Sequence, residues 1–180
     1  MTTLTVRAIT PQQHAAWVAT RPSVSFLQLP EWGAVKSGWR SESLGWFLGS
    51  RLVGAGLVLY RPVPKVPGRV LAYLPEGPDI DWERREHPGR ALEQWLSPLL
   101  AHCRSRGAFQ VKMGPPVALR RWSADTVKAA MSSESAGDRI GSLAPDWTDD
   151  AALDVIHRLR AAGWTQTPAS GAGFGDVQPR

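Results

Sequence analysis

Apolar and polar positions change their spacing along the chain, and the changes mark out elements. Leu4–Ile9 alternates apolar with polar and predicts a strand. Thr10-Pro11-Gln12-Gln13 follows, with Thr at N-cap, Pro at N1 and Gln at N3, which predicts a capping box and a short helix to about Thr20. Arg21-Pro22-Ser23 breaks that helix. Pro30–Ser37 fits a second one, with Gly38 as its stop. Ser43–Gly49 and Leu52–Arg61 are strand-like runs meeting at Ser50-Arg51, a spacing that predicts a hairpin. Pro62, Pro64 and Pro67 impose an extended connection, and Arg69–Leu74 predicts a third strand running into the loop Pro75–Asp81. In Pro88–Arg106, the residues Leu92, Trp95, Leu96, Leu99, Leu100 and Cys103 form one apolar stripe at helical spacing, closed by Gly107. Ala108–Met113 predicts a strand, Ser123–Met131 a helix capped by Ser123, and Ser132–Gly141 a polar, mobile loop. Asp149–Ala162 predicts a helix with acids at its start and Arg158 and Arg160 near its end. Trp164–Thr167 reads as the start of a strand, and Ser170–Arg180 as a glycine-rich tail.

The order strand, helix, helix, three strands, helix, strand, helix, strand is that of an α/β, GNAT-like (acyl-CoA N-acyltransferase-like) mixed sheet flanked by helices. The expectation is a single domain over 1–180 that lacks its last strand. Fold order alone does not give function.

Composition narrows the class. Of 180 residues, 43% are hydrophobic and 21% charged, the balance of a globular chain. The longest apolar run, Leu52–Tyr60, is far short of the ~20 residues of a spanning helix. The N-terminus carries no signal-peptide pattern, so a cytoplasmic location is expected. The single cysteine, Cys103, rules out an internal disulfide and reads as a buried small hydrophobe. Four scattered histidines, His14, His87, His102 and His157, predict no metal site. A net charge of +5 favours an anionic partner or a solvated basic surface about equally. Nine tryptophans exceed what so small a domain can bury, so some are expected to line a cleft.

Candidate chemistry is sparse. Arg51-Leu52-Val53-Gly54-Ala55-Gly56 matches the R-x-x-G-x-G pattern of acetyl-CoA-dependent acetyltransferases, but it lies within a hairpin strand and no helix follows it. Gly54 and Gly56 are read instead as strand glycines that permit close packing. No glycine cradle precedes the helix at Pro88, which disfavours acetyl-CoA. Gly171-Ala172-Gly173-Phe174-Gly175 resembles a dinucleotide loop only superficially.

Two segments carry more. In Ser25–Trp39, a helix opened by Pro30 puts Trp32 and Lys36 on one face. An aromatic-flanked lysine suits a phosphate or carboxylate; the competing reading, favoured on pattern alone, buries Trp32 and Val35 and lets Lys36 reach water. In Tyr73–Asp81, Gly77-Pro78 after a strand makes a stiff loop of the kind that carries binding groups.

Together these segments resemble the FemABX family of peptidoglycan bridge-forming aminoacyltransferases. The matching residues are Phe26-Leu27-Gln28 followed by Trp32, Lys36 and Trp39, then Tyr73-Leu74-Pro75 with Gly77-Pro78 and Asp81. Val111–Pro116, Leu159…Gly163-Trp164 and Phe174-Gly175…Gln178-Pro179-Arg180 are similar to family strings, and the Arg, Ala, Trp and Pro usage is similar to that of actinobacterial members. The resemblance implies transfer of an amino acid from aminoacyl-tRNA to the stem-peptide amine of lipid II or of its nucleotide-linked precursor, UDP-muramyl-pentapeptide. It implies no metal and no cofactor beyond the aminoacyl-tRNA co-substrate, no DNA, and peripheral contact with the inner membrane surface. Members have two GNAT-like domains, and the chain matches the first, which holds the muramyl-peptide. By resemblance, Phe26, Gln28, Trp32, Lys36, Trp39, Tyr73, Gly77, Pro78 and Asp81 line the substrate cleft, with Lys36 pairing with phosphate or carboxylate and Asp81 accepting hydrogen bonds. The catalytic residues are not assigned. Glu76, where members often carry Arg, and Asp79, where an apolar residue is usual, make the loop more acidic. The rival readings are a stand-alone GNAT-type N-acetyltransferase and a non-catalytic interaction module using exposed tryptophans.

Overall fold

The computed structural model describes residues 3–132 and 140–167. The chain divides into two compact units, Met1–Val117 and Ala118–Arg180.

The first unit is built on a five-stranded mixed sheet in the order β1-β2-β3-β4-β5. Strands β1 (Leu4–Ala8), β2 (Arg40–Leu48), β3 (Arg51–Pro62) and β4 (Val70–Leu74) are antiparallel neighbours. Strand β5 (Ala108–Met113) runs parallel to β4, reached through helix α3 (Leu92–Ser105). This is the mixed α/β arrangement, a sheet flanked by helices, that the element order predicts. The β2–β3 hairpin turns at Gly49-Ser50, one residue earlier than expected, because Leu48 pairs with Arg51 and Gly49 supplies the left-handed backbone (φ +62°).

Alternation along β2 sorts the two faces. Ser41 and Ser43 face helices α1 (Pro11–Val18) and α2 (Pro30–Val35), where His14 Nδ1 meets Ser43 Oγ at 3.0 Å. Glu42 and Trp46 face α3, where Trp46 donates to the Trp95 carbonyl at 2.8 Å and Glu42 meets His102. The predicted stripe Leu92, Trp95, Leu96, Leu99 and Cys103 is buried. Helix α3 starts four residues later than expected. Pro88 lies in a separate turn, and Gln94 reaches back to the Ala91 N–H to cap the helix. The capping box of α1 forms as predicted: Gln13 N–H donates to Thr10 Oγ1 and Thr10 N–H to Gln13 Oε1. Trp46, Trp82 and Trp95 are buried, whereas Trp147 is 39% exposed and the others lie between.

The second unit holds the small ladder of β6 (Arg120–Arg121) with β7 (Trp147–Thr148), which the sequence reading did not anticipate, and helices α4 (Ala124–Ser132) and α5 (Asp150–Ala161). Asp146 ties it together by accepting from Ser123 N–H and Thr126 Oγ1–H. Trp164–Thr167 is not a strand, and Gly163 (φ +82°) simply ends α5. The glycine-rich string at Gly171–Gly175, the family string ending at Arg180 and most of the loop Ser132–Gly141 lie outside the described residues. No described helix is long and apolar enough to cross a membrane.

Candidate functional site

The two segments singled out in the sequence come together on the α1/α2 side of the sheet. A single 3-10 turn, Phe26–Gln28, capped by Ser25, precedes α2. It buries Leu27 and Gln28, each 1% exposed. The Gln28 amide spans two elements. Its Oε1 accepts from the Leu57 N–H of β3 at 2.9 Å, and its Nε2 donates to the Pro75 carbonyl at the start of the 75–81 loop. Beyond the β4 pairing, which begins at Leu59, the β3 edge would otherwise expose its backbone, and Gln28 takes up part of it.

The loop completes that edge. Ala55 and Asp79 exchange backbone hydrogen bonds at 3.0 and 2.9 Å. The approach requires the two strand glycines: a Cβ on Gly56 would meet Pro78 Cβ at 2.8 Å, and one on Gly54 would meet Ile80 Cγ2 at 2.9 Å. The R-x-x-G-x-G match is therefore a packing device, as its place in a strand suggests. Gly77, joined to Pro78 by a cis peptide bond, lies against the Gln28 amide, with 2.3 Å from its would-be Cβ to Gln28 Cδ.

The Asp79 side chain is the loop's second fastening. It accepts from Trp17 Nε1 at 2.7 Å, in the last turn of α1, and pairs with the Arg21 Nε at 3.0 Å, just after that helix. Burial pushes its carboxyl above the ordinary range, against the Trp17 and Arg21 contacts that lower it. In the sequence Asp79 stands out only as an acid where the family is usually apolar, and nothing local in it encodes this latch. The readable signal was Gly54 and Gly56 on one strand face, which leave a groove for some other backbone.

Asp81 turns inward to its own chain. Its carboxylate accepts from the backbone N–H groups of Arg85, Glu86 and His87 at 2.8, 3.1 and 2.6 Å. The substrate hydrogen bond implied by resemblance thus meets a carboxylate already engaged, and Asp81 shapes the loop. Three converging N–H groups are also what a phosphate would seek before α3, and here an internal anion occupies them.

The remaining residues form a face open to solvent. Phe26 is 63% exposed and stands edge-on to Trp32, with ring centroids 5.4 Å apart. Lys36, the C-cap of α2, holds its Nζ 4.8 Å from the Trp32 centroid. Val35 is exposed, so the alternative that buries Trp32 with Val35 does not hold as drawn. Trp39 contacts Tyr73 at 6.3 Å, which joins the two segments through rings, and the Arg61 guanidinium lies 5.6 Å from the Trp39 centroid. Arg61 was not anticipated; it is adjacent only through strand pairing. The structure thus brings the nine predicted residues into one region but splits them. Gln28, Gly77, Pro78 and Asp81 form a scaffold, whereas Phe26, Trp32, Lys36, Trp39 and Tyr73 form the outer face. Among the described residues no group of three or more His, Cys, Asp or Glu could hold a metal.

Residues 9–151 match the model of the FemAB family. A lipid II:glycine glycyltransferase of Staphylococcus epidermidis is 31% identical over 165 residues, covering 83% of this chain and 38% of its own length. The Staphylococcus aureus protein of the same name is 29% identical over the same span. A crystal structure of FemX superposes with a TM-score of 0.61 at 22% identity, over 97% of this chain and 35% of that one, and so shares its fold. The chain spans about two fifths of the length of the curated relatives it matches (38%). On that family match, which spans most of the sequence, this chain belongs to the FemAB family.

Proposed function

We propose that the chain carries the acceptor-binding part of an aminoacyltransferase of peptidoglycan synthesis, and that its ligand is the muramyl-peptide of lipid II or of the soluble UDP-muramyl-pentapeptide. The observation that supports this best is the outer face: Lys36 at the end of α2 and Arg61 on β3 are each set on a tryptophan, beside a loop fastened through Gln28, Asp79 and Asp81. Aromatic planes contact sugar or base rings, and cations beside them neutralise phosphate or carboxylate groups. In this reading Lys36 takes the anionic group, and Asp81 contributes through loop shape. The amino-acid donor is aminoacyl-tRNA, the acceptor is the stem-peptide amine, and the reaction forms one amide and releases tRNA. The acetyltransferase reading has less support, because Gly54 and Gly56 are used for packing and the N–H groups before α3 are occupied by Asp81.

The test is calorimetric titration with a soluble, short-chain lipid II analogue. Binding is expected, weakened about tenfold by Lys36→Ala with the melting temperature unchanged. A folded protein that binds no analogue, or a Lys36→Ala variant that binds equally well, overturns the assignment.

A further inference from the structure

A second surface of the first unit carries no role in this site. It lies at the other end of β4 from the 75–81 loop and is formed by Val63, Val66, Arg69, Arg104, Ala108 and Phe109. Val66 is 47% and Phe109 59% exposed, two large apolar side chains that line one hollow and face water.

The loop that presents Val66 is well fastened. Val63 N–H donates to the Arg69 carbonyl at 3.0 Å, and Val66 N–H to the Val63 carbonyl at 3.2 Å. Gly107 (φ +87°) lets the loop close on the α3–β5 turn: a Cβ there would stand 2.2 Å from the Gly68 oxygen. Val66 is thus an apolar tip on a preformed support, whose ordering cost was met on folding.

Its charge is one-sided. Lys65, Arg69 and Arg104 are exposed, and among the described residues none of them is ion-paired with a carboxylate. The chain has no acid from Pro62 to Leu74 or from Gln94 to Met113. Glu42 pairs with Arg106 at 2.6 Å, a different arginine from those of this surface.

We propose that this surface docks on an anionic lipid bilayer, with Val66 and Phe109 entering the headgroup boundary and Lys65, Arg69 and Arg104 meeting lipid phosphates. An apolar centre rimmed by unpaired cations matches the layering of such a membrane, acyl chains beneath a plane of negative charge. Nucleic acid fits less well, because the centre is mostly aliphatic and offers one phenyl ring for stacking. The proposal gives the lipid-linked form of the acceptor a place to meet the protein, but it rests on the residues of this surface alone.

Co-sedimentation of the full chain with vesicles tests it. Vesicles of equal parts phosphatidylglycerol and phosphatidylcholine are expected to bind, pure phosphatidylcholine to bind far less, and added salt to release the protein. Val66→Asp, and separately the pair Arg69→Ala with Arg104→Ala, are each expected to weaken binding about tenfold or more. All these positions are exposed, so melting temperatures should stay at the parent value and the soluble-analogue titration should be untouched. Equal binding to neutral and anionic vesicles, or variants that bind like the parent, overturns the proposal. So does loss of RNA binding in these variants while vesicle affinity is unchanged. Because the soluble analogue needs no vesicle, failure of either assay leaves the other proposal standing.

Discussion

The scaffold of the 75–81 loop and the outer face above it use the same residue classes for opposite purposes. Gln28, Asp79 and Asp81 are polar and sit in or near the interior, and each is engaged by its own chain: an amide between two backbones, a carboxylate between Trp17 and Arg21, a carboxylate under three N–H groups. Lys36, Trp32 and Phe26 are polar and aromatic on the outside, and their contacts are ring and cation–ring contacts near water. A buried group whose partner is removed leaves an unsatisfied one behind, whereas an exposed group is replaced by water. Substitutions below should therefore register as lost stability, and substitutions above as lost affinity.

The sharpest break of that comparison is Gln28→Leu. It strands the Leu57 N–H and the Pro75 carbonyl together, at about 1–3 kcal/mol each, so roughly 3–4 kcal/mol of unfolding free energy should disappear in a urea titration. A loss below about 1 kcal/mol would mean that the amide does not carry the loop.

Acid separates the layers next. His14 is 1% exposed, and burial lowers its pKa to about 4, against the opposing pull of Glu31. The native state holds it neutral while the unfolded chain takes up a proton below about 6.5. Its contribution is therefore complete above pH 6.5 and is lost as pH falls from 6.5 to about 4, by about 3 kcal/mol in all. Denaturation midpoints across that range should fall in the parent and flatten in His14→Gln. Glu42, which burial pushes up but hydrogen bonds with His102, Arg106 and Tyr60 together hold below the ordinary carboxylate range, adds a further loss at still lower pH.

Gly77→Ala is a finer probe. Its methyl must displace the Gln28 amide, at about 1–3 kcal/mol. In a Gln28→Ala background the same methyl enters vacated space, so the double variant should be more stable than the two single losses added together. Strict additivity would show that the two residues do not share one site. The smallest stability effect belongs to the outer face: Trp32→Ala and Lys36→Ala should each move the melting temperature by less than about 2 °C while analogue affinity falls. An equal fall in stability would erase the distinction between the layers.

Legibility followed the range of the forces involved. The α1 capping box, the α3 stripe and the strand runs are set by neighbours a few residues apart, and each appeared close to where the pattern put it. The start of α3 was misjudged because proline opens turns as readily as helices, and the β6–β7 ladder was missed because two-residue strands have no period to read. The nine candidate residues lie in one region, but their division into scaffold and face was not legible. Whether Gln28 is buried, or whether Asp81 is turned inward, depends on contacts across 29 and 6 residues that no local pattern encodes.

The bonding of Gln28 also limits what can stand in its place. One terminal group must donate and the other accept, at a fixed reach from the backbone. Glutamate offers no donor, lysine and arginine no acceptor, asparagine is a methylene too short, and leucine has neither group. Position 28 therefore works as a one-letter stereochemical signature. Where a distant homologue shows glutamine here, a glycine at 77 and small residues at 54 and 56, the fastened loop can be inferred without coordinates; where glutamine is lost, the loop must be held some other way.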